Sequence, residues 1–428
     1  MTLLAFEGIA TATAMPVVAR ELDALGGYTW AFSAYVVASL LSMVVGGLWS
    51  DARGARGPLI AGVAAFCVGA VVAGLAGTLG VLIVGRAVQG LGSGAVIVGL
   101  YVFIARAYDV DLRPKAFSVL AAAWVVPALV GPLIAGWLAD NVSWRAVFLL
   151  VPIFVVPPAL LLFPRLGEFQ GGTVHSSSRT RLIAAVLATA GLFALQDGVL
   201  RLDAIGAAEA VIGLVVLVLS ARHLLPPGSL RFARGLPASV MMRGLLAAAY
   251  FSAEAFVPLA LVESRGVSTT MAGLTLAASA ALWSVGSYTQ SRLPGADDRS
   301  GAVRLGAVVV TVCLVSLPLV VLTSIPPWTA GVAWALGAFG MGLAIPSVSV
   351  QVMRLSPESE QGVNGAAIQI VDSVLVVVGL SALGLGHAAA VANGGATPAT
   401  YTALWLVSAL FAVAAGDLAG RMRPSLLT

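Results

Sequence analysis

The stretch Gly47-Leu-Trp-Ser-Asp51-Ala-Arg53-Gly54-Ala-Arg56 places charged residues and two glycines between two long apolar runs. A glycine-broken polar segment of this kind is typical of a tight turn. Irregular, charged backbone is not stable in lipid, so the turn must lie where water is available. The stretch therefore predicts a short loop at a membrane surface that joins two spanning helices.

The composition of the whole chain supports a membrane environment. Of 428 residues, 59% are hydrophobic and only 10% are charged, which excludes a water-soluble globule. The net charge of +4 is small, and in a membrane protein it reports where the loops lie rather than nucleic-acid binding. We therefore expect an all-α integral membrane protein whose surroundings are the lipid bilayer, with no nucleic-acid partner.

Long apolar runs define the predicted helices, because a spanning helix needs about 20 apolar residues. By this measure the sequence predicts about fourteen spans. They are 3–20, 29–50, 57–77, 79–105, 114–138, 144–163, 181–199, 205–225, 237–261, 268–291, 301–323, 328–354, 363–388 and 398–420.

The basic residues predict the orientation of these spans. Only Arg20, Arg145, Arg201 and Arg265 fall on one side of this threading. The other side carries Arg53, Arg56, Arg106, Arg113, Lys115, Arg165, Arg179, Arg181, Arg222, Arg231, Arg234, Arg243, Arg292, Arg299, Arg304, Arg354, Arg421 and Arg423. The positive-inside bias then places both termini and the Asp51 loop in the cytoplasm and the protein in the inner cell membrane. This orientation requires an even number of spans, which favours fourteen, or twelve if two runs do not insert.

Weak internal repetition predicts a duplicated architecture. Residues 30–53 can be laid on 269–292, which aligns Gly47 with Gly286 and Asp51 with Gln290. A second overlay aligns 92–94 with 340–342. The predicted units are a six-helix bundle at 1–163, a cytoplasmic loop at 164–180, two inserted helices at 181–225, a cytoplasmic loop at 226–236 and a second six-helix bundle at 237–428. The second bundle lacks the acid of Asp51, so we expect the stronger cytoplasmic latch in the first.

The Gly-x-x-x-Asp-x-x-Gly-x-Arg pattern resembles the signature loop between the second and third helices of the major facilitator superfamily of secondary transporters. Ala52 stands where that family usually has Arg. In the family, the Asp pairs with basic residues and braces a neighbouring helix. The resemblance therefore implies gating roles for Gly47, Asp51, Gly54 and Arg56. The alternative is an ordinary polar turn.

Helix four carries a second part of the resemblance, because Arg86-Ala-Val-Gln89-Gly90 is similar to the family's Arg-x-x-Gln-Gly pattern. An arginine within a membrane costs on the order of 2.5–3.5 kcal/mol and needs a partner or a water-filled cavity. We expect Arg86 to be functional. The alternative is an arginine that reaches the outer surface through its long side chain.

Two further motifs follow helix four. The run Gly131-Pro132 to Gly136 resembles the Gly-Pro pattern associated with antiporters, although Pro127 and Ala135 replace two glycines of that pattern. Small residues allow close helix contact and the proline leaves a bend, so Gly131, Pro132 and Gly136 are predicted to gate access. The run 143–148, Ser-Trp-Arg-Ala-Val-Phe, resembles the family's Trp-Arg-x-x-Phe start of helix six.

Helix one carries the acid predicted to bind protons. Glu7 stands ahead of Ala14-Met15-Pro16, where the fourteen-helix drug:proton antiporter branch usually has an Asp. Low dielectric favours a protonated carboxyl, and a nearby cation favours the charged form. Glu7 facing Arg86 would then switch protonation as the cavity opens to each side. The alternative places Glu7 at the cytoplasmic water line.

The second half contains two more acids within apolar helices, Glu254 and Asp372. Such acids usually face a cavity, and we expect both to contribute to proton coupling or cargo binding. Neighbouring aromatic and amide groups suit a site for amphipathic, often cationic molecules. The predicted substrate-binding set is Tyr35, Gln89, Trp124, Tyr250, Glu254, Phe256, Gln369 and Asp372. The alternative is that hydrogen bonds between helices satisfy each acid.

The sequence therefore predicts a monomeric, proton-coupled antiporter that exports amphipathic small molecules by alternating access. The proton gradient would supply the energy, with no cofactor. The chain lacks a phosphate-binding loop, a metal-ligand cluster and an assembled nucleophile, so nothing supports an enzyme. Two alternatives stay open: a lipid or metabolite transporter of the same fold, and a receptor or scaffold without turnover.

Overall fold

The computed structural model describes residues 2–108, 125–163, 178–293, 299–322, 324–357 and 360–423, together with positions 112 and 123. These residues form α-helices joined by short turns and short 3₁₀ segments, and they contain no strand. The helices are α1 (Thr2–Glu21), α2 (Trp30–Arg53), α3 (Arg56–Gly74), α4 (Leu79–Ala107), α5 (Val125–Asn141), α6 (Trp144–Leu162), α7 (Ser178–Arg201), α8 (Ala204–Leu224), α9 (Leu236–Glu254), α10 (Phe256–Arg265), α11 (Thr269–Arg292), α12 (Ser300–Leu322), α13 (Thr329–Leu355), α14 (Gln361–Ala392) and α15 (Pro398–Leu418).

Within the described residues, 11 segments are long and apolar enough to cross a membrane. One of them, Leu236–Arg265, contains both α9 and α10. The prediction of an all-α, multi-pass membrane fold is confirmed. With α9 and α10 counted as one, the described residues contain fourteen long helical segments, and 11 of these meet the length and hydropathy expected of a span.

The span predicted at 237–261 is wrong in two respects. The helix continues to Arg265, and it is broken at Ala255 between α9 and α10. Pro258 has no backbone N–H to donate to the carbonyl of Glu254, so a regular helix cannot pass through this point. The break places Glu254 at the end of α9.

The predicted surface turn after α2 is shorter than expected. Helix α2 continues through Arg53, so Gly47 and Asp51 lie on the helix rather than in a loop. The helix ends at Gly54, which has a positive φ of 85° that other residues rarely adopt. The N–H of Gly54 donates to the carbonyl of Ser50 at 2.9 Å. Only Gly54 and Ala55 separate α2 from α3.

Glycine contacts show how α4 and α13 are packed. Helix α4 lies between α3 and α2: a Cβ at Gly92 would be 2.7 Å from Cα of Phe66, and one at Gly94 would be 3.0 Å from N of Met43. Helix α13 lies between α12 and α11 in the same way, through Gly340 and Gly342. The overlay of 92–94 on 340–342 therefore aligns residues with equivalent neighbours. The predicted boundaries of the two bundles stay a prediction.

The helices alternate in direction, which defines two sides of the molecule. We call the side that holds both chain ends the terminal side and the opposite side the distal side. On the terminal side, the N–H of Gly235 donates to the carbonyl of Arg421 at 2.8 Å. On the distal side, Arg265 donates to the carbonyl of Ile325 at 3.0 Å. Helix α1 ends on the distal side and α2 ends on the terminal side.

The close packing of α4 predicts the effect of adding one methyl group. Gly92→Ala should lower the free energy of unfolding by about 1–3 kcal/mol, because the new Cβ would overlap α3. Gly301→Ala is the matched control, since a Cβ at this helical glycine would meet nothing within 4 Å. The measurement is the melting temperature of each purified variant in detergent. If G92A melts no lower than G301A, the packing of α3 on α4 is wrong.

Candidate functional site

A fully buried ion pair joins α1 to α4. Glu7 is 0% exposed and Arg86 is 2% exposed. Nη1 of Arg86 donates to Oε1 of Glu7. The hydroxyl of Thr11, one turn further along α1, donates to the same oxygen at 2.9 Å. Neither side chain therefore lies at the water line, which removes both the snorkelling alternative for Arg86 and the surface alternative for Glu7.

Arg86 also donates to groups on α2 and α4. Nε donates to the carbonyl of Ala31 at 2.9 Å, and Nη1 donates to Oε1 of Gln89 at 3.0 Å. Cζ lies 4.5 Å from the ring centroid of Tyr35, within cation–π range. The structure thus brings together four of the predicted residues: Glu7, Tyr35, Arg86 and Gln89. Their association required helices that are separate in the sequence to pack together.

One oxygen of the Glu7 carboxylate accepts two hydrogen bonds and the other accepts none from the described residues. Oε1 accepts from Arg86 and Thr11, whereas Oε2 is buried without a hydrogen-bond partner among the described residues. Buried oxygens are normally satisfied, so each exception needs an explanation. A proton on Oε2 would be added without breaking either existing bond. Thr11 is not among the predicted site residues, because no local pattern distinguishes it from other threonines of α1.

A second ion pair lies in the other half of the chain, between α9 and α14. Nε of Arg243 donates to Oδ2 of Asp372 at 2.9 Å, and Nη1 donates to the hydroxyl of Ser349 at 2.6 Å. Oδ1 of Asp372 has no partner among the described residues. The Asp372 side chain is 22% exposed, so this pair is more accessible than the first. Gln369 is half-buried one turn before Asp372.

Arg243 has a role that the distribution of basic residues does not predict. It lies within α9 and binds Asp372. Because Arg243 stands near the start of an apolar run, the sequence does not indicate that it pairs with Asp372. The burial of Asp372 in an apolar helix was the signal that a cationic partner was needed.

Glu254 is half-buried at the junction of α9 and α10, and no ion pair to it is seen among the described residues. Phe251, one turn earlier, is 39% exposed although α9 packs on α13, α14 and α15. Its ring lies 6.2 Å from the ring of Trp283 on α11, centroid to centroid. An acid and two accessible aromatic rings therefore lie near one another. Neither Phe251 nor Trp283 belongs to the predicted substrate-binding set.

Two predicted substrate-binding aromatics are buried against other rings. Tyr250 is buried and stacks on Trp334 with ring centroids 4.2 Å apart. Phe256 is fully buried on the distal side against Tyr28 and His387. Neighbouring rings fill the space around both side chains, so neither presents a surface to a substrate in this conformation. Trp124, the remaining aromatic of the predicted set, lies outside the described residues.

The Gly-Pro motif of α5 lies against α11. A Cβ at Gly136 would be 2.6 Å from Cα of Thr270, and a Cβ at Gly273 would be 2.5 Å from the carbonyl oxygen of Pro132. Gly131 packs against Phe6 of α1. The small residues of this motif therefore bring the two halves of the chain into backbone contact, which supports their predicted gating role without testing it.

Polar contacts hold the two halves together on the distal side. Asp140 at the end of α5 accepts from the N–H groups of Thr269 and Thr270 at 3.1 and 2.8 Å, so it caps the N-terminus of α11. Arg20 of α1 donates to Glu263 of α10 at 2.7 Å. In this conformation the distal side is closed.

The motif residues on the terminal side are exposed. Asp51 and Arg56 both lie at the surface, and Gly47 faces Val98 of α4. The motif at 143–148 lies on the distal side, where Trp144 and Arg145 donate to one oxygen of Glu21 at 2.7 and 3.2 Å. These contacts fix the start of α6 against the end of α1.

Comparison with known proteins agrees with this geometry. Residues 1–380 match the Major Facilitator Superfamily. The chain is 32% identical over 275 residues to an uncharacterized MFS-type transporter of Mycobacterium tuberculosis, covering 61% of this chain and 39% of that protein. It is 26% identical over 377 residues to the methylenomycin A resistance protein of Bacillus subtilis, covering 84% and 79% of the two chains.

Solved structures with the same fold are also found. The chain superimposes on a POT family transporter in complex with 5-aminolevulinic acid with a TM-score of 0.69, 14% identity, and coverage of 99% of this chain and 96% of the other. At this identity the likeness shows the fold alone. The family match extends over most of the sequence, and the relatives are named as transporters. The chain therefore belongs to the Major Facilitator Superfamily of transporters and not to an enzyme family.

Proposed function

We propose that this protein exports amphipathic small molecules in exchange for protons, and that Glu7 carries the proton. The observation that supports this proposal most directly is the buried Glu7–Arg86 pair with its unpartnered carboxylate oxygen. The proton gradient supplies the energy, and no cofactor is required. The small molecule, the proton and the surrounding bilayer are the partners, and a single chain is the transporting unit.

The ion pair couples protonation to conformation through the cost of an unpaired buried charge. When Glu7 is charged, it balances Arg86 and holds α1 against α4. A proton on Oε2 neutralises the carboxyl and leaves the guanidinium without a counter-charge. Removing one partner of a buried pair costs on the order of 3–5 kcal/mol, so the protonated state favours a conformation in which water reaches Arg86.

The second ion pair would act on the substrate side of the exchange. Asp372 is held by Arg243 through one oxygen only, and its side chain is partly accessible. A cationic group that reaches this partly accessible side chain can compete with Arg243 for the carboxylate. The proton would then weaken the Glu7–Arg86 pair in the first half of the chain, and the cargo would weaken the Asp372–Arg243 pair in the second half.

Aromatic groups near Glu254 support an amphipathic cargo. Phe251 and Trp283 offer accessible π faces, and Glu254 offers a negative charge without an ion-pair partner among the described residues. Cation–π contact suits a flat, positively charged molecule. One relative is named for methylenomycin A resistance and another, from Bacillus subtilis, is named a multidrug transporter protein, which agrees with export of such compounds.

Alternating access would follow from the contacts between the halves. The distal contacts of Asp140 and Arg20 must break for the distal side to open, while the exposed Asp51 and Arg56 can form a latch on the terminal side. The positive-inside bias supports a cytoplasmic location for the terminal side, with the protein in the inner cell membrane, because the basic residues concentrate there. The closed distal side then faces outward in this conformation.

Replacing Glu7 with Gln should abolish proton-driven transport and leave substrate binding measurable, because the amide keeps the shape of the side chain but cannot exchange a proton. The measurement is dye efflux and internal pH in vesicles with an imposed pH gradient. Glu209→Gln, on α8, is the control and should transport normally. Unaltered proton-driven transport in E7Q would remove Glu7 from the mechanism.

Replacing Phe251 with Ala should weaken the binding of a lipophilic cation by about threefold to tenfold, since an aromatic contact contributes about 0.5–1.5 kcal/mol. The dissociation constant of a fluorescent cation gives the readout. Phe154→Ala is the matched control, because Phe154 is also exposed but lies on α6. Equal affinities for F251A and F154A would exclude Phe251 from the site.

The proposed orientation predicts which side of the membrane each loop faces. In a background without Cys67 and Cys313, Val142→Cys on the distal side should react with a membrane-impermeant thiol reagent in intact cells. Ala52→Cys, on the terminal side, should react only after permeabilisation. The reverse pattern would invert the topology and place the closed side in the cytoplasm.

A further inference from the structure

One polar side chain of the inserted helices is completely buried. Gln196 lies in the last two turns of α7 and is 0% exposed. The residues before it on the same face, Leu192 and Leu195, are also buried. An amide in an apolar membrane environment is stable only if its donors and acceptors find partners.

Gln196 finds these partners on two other helices. Its Nε2 donates to the hydroxyl of Thr29 at 2.8 Å, and its Oε1 accepts from the hydroxyl of Ser33 at 2.9 Å. The same Oε1 accepts from the hydroxyl of Ser381 at 2.8 Å. Thr29 and Ser33 lie at the start of α2, in the first half of the chain, and Ser381 lies on α14, in the second half.

Helix α2 and helix α14 also meet directly beside this amide. A Cβ at Gly384 would be 2.6 Å from Oγ1 of Thr29, so the two helices are in close contact there. The hydroxyl of Tyr28, the residue before Thr29, donates to the carbonyl of Ala255 at 2.7 Å. Gln196 therefore spans a junction that belongs to the closed distal side.

We propose that Gln196 is a positioning residue that holds α2 and α14 together on the closed distal side. We call its hydrogen bonds to Thr29, Ser33 and Ser381 the clasp. The inserted hairpin, which consists of α7 and α8, therefore takes part in gating. The inference rests on the proposed alternating access. Opening of the distal side separates α2 from α14, and one amide cannot stay bonded to both. The hydrogen bonds of Gln196 stabilise the closed conformation only, because the open conformation must lose them.

The asymmetry of the hairpin supports this role. Helix α7 packs on both α2 and α14, whereas α8 presents exposed apolar side chains along much of its length, including Ile205, Val211 and Ile212. The two inserted helices hold each other through close glycine contacts at Gly191 and Gly213. The hairpin is thus a rigid unit with its polar clasp on the inner face and its apolar surface toward lipid.

The test measures the distance between the two halves on the distal side. Spin labels at Val142→Cys and Ala392→Cys, with Cys67 and Cys313 replaced by Ala, report closed and open populations by double electron–electron resonance in lipid nanodiscs. Gln196→Leu removes the clasp and keeps the volume of the side chain. The open population should rise about threefold to tenfold, as expected for the loss of a few hydrogen bonds within a membrane.

Thr189→Val is the matched control, because the Thr189 hydroxyl lies on the same helix, is buried and has no partner among the described residues. Its distance distribution should equal that of the labelled parent. Ser381→Ala deletes one bond from the opposite side, so it should also raise the open population even if Q196L does not fold. A closed distribution in S381A and Q196L alike would overturn the clasp. Failure of the proposed function gives a different result: the distal side opens in the distance measurement, but the protein shows no proton-driven transport.

Discussion

The cost of a charge in an apolar interior is the constraint on which the arrangement of this protein depends. Glu7 and Arg86 are both excluded from water, so each requires the other, and α1 must lie against α4. The remaining bonds of Arg86 then fix α2 beside them through the carbonyl of Ala31. A pair held this tightly is stable only while both charges are present. In the proposed exchange mechanism, that property is what would make the contact respond to one proton.

Close packing of helices depends on small residues at the contacts. Lipid is as apolar as leucine, so helices in a membrane gain little from hydrophobic burial against each other, and van der Waals contact and hydrogen bonds decide their association. Gly92 and Gly94 allow α4 to touch two neighbours, and Gly340 and Gly342 do the same for α13. Between the halves, Gly136 and Gly273 bring α5 and α11 together. Contacts of this kind depend on the absence of a side chain at each glycine.

The two sides of the molecule are held by different chemistry. On the distal side, carboxylates, a helix N-terminus and a buried amide join the halves, and all of these groups can instead be hydrated when the side opens. On the terminal side, the motif residues Asp51 and Arg56 are exposed. The break at Ala255, where Pro258 interrupts the hydrogen bonds of the helix, lies beside the distal contact of Tyr28. A span that is already divided can bend there at little further cost.

The sequence by itself determined the membrane fold, because apolar run length and composition leave few alternatives to a bundle of spanning helices. It also identified Glu7, Arg86 and Asp372 as candidate functional residues, because an ionisable side chain in an apolar run costs free energy whatever its orientation. Only the tertiary structure decided the partners. Arg243 looks like an ordinary residue near a loop until α14 brings Asp372 to it, and Gln196 looks like one polar residue in an inserted helix until α2 and α14 meet around it. Those contacts join residues more than a hundred positions apart, and no local pattern encodes such a distance.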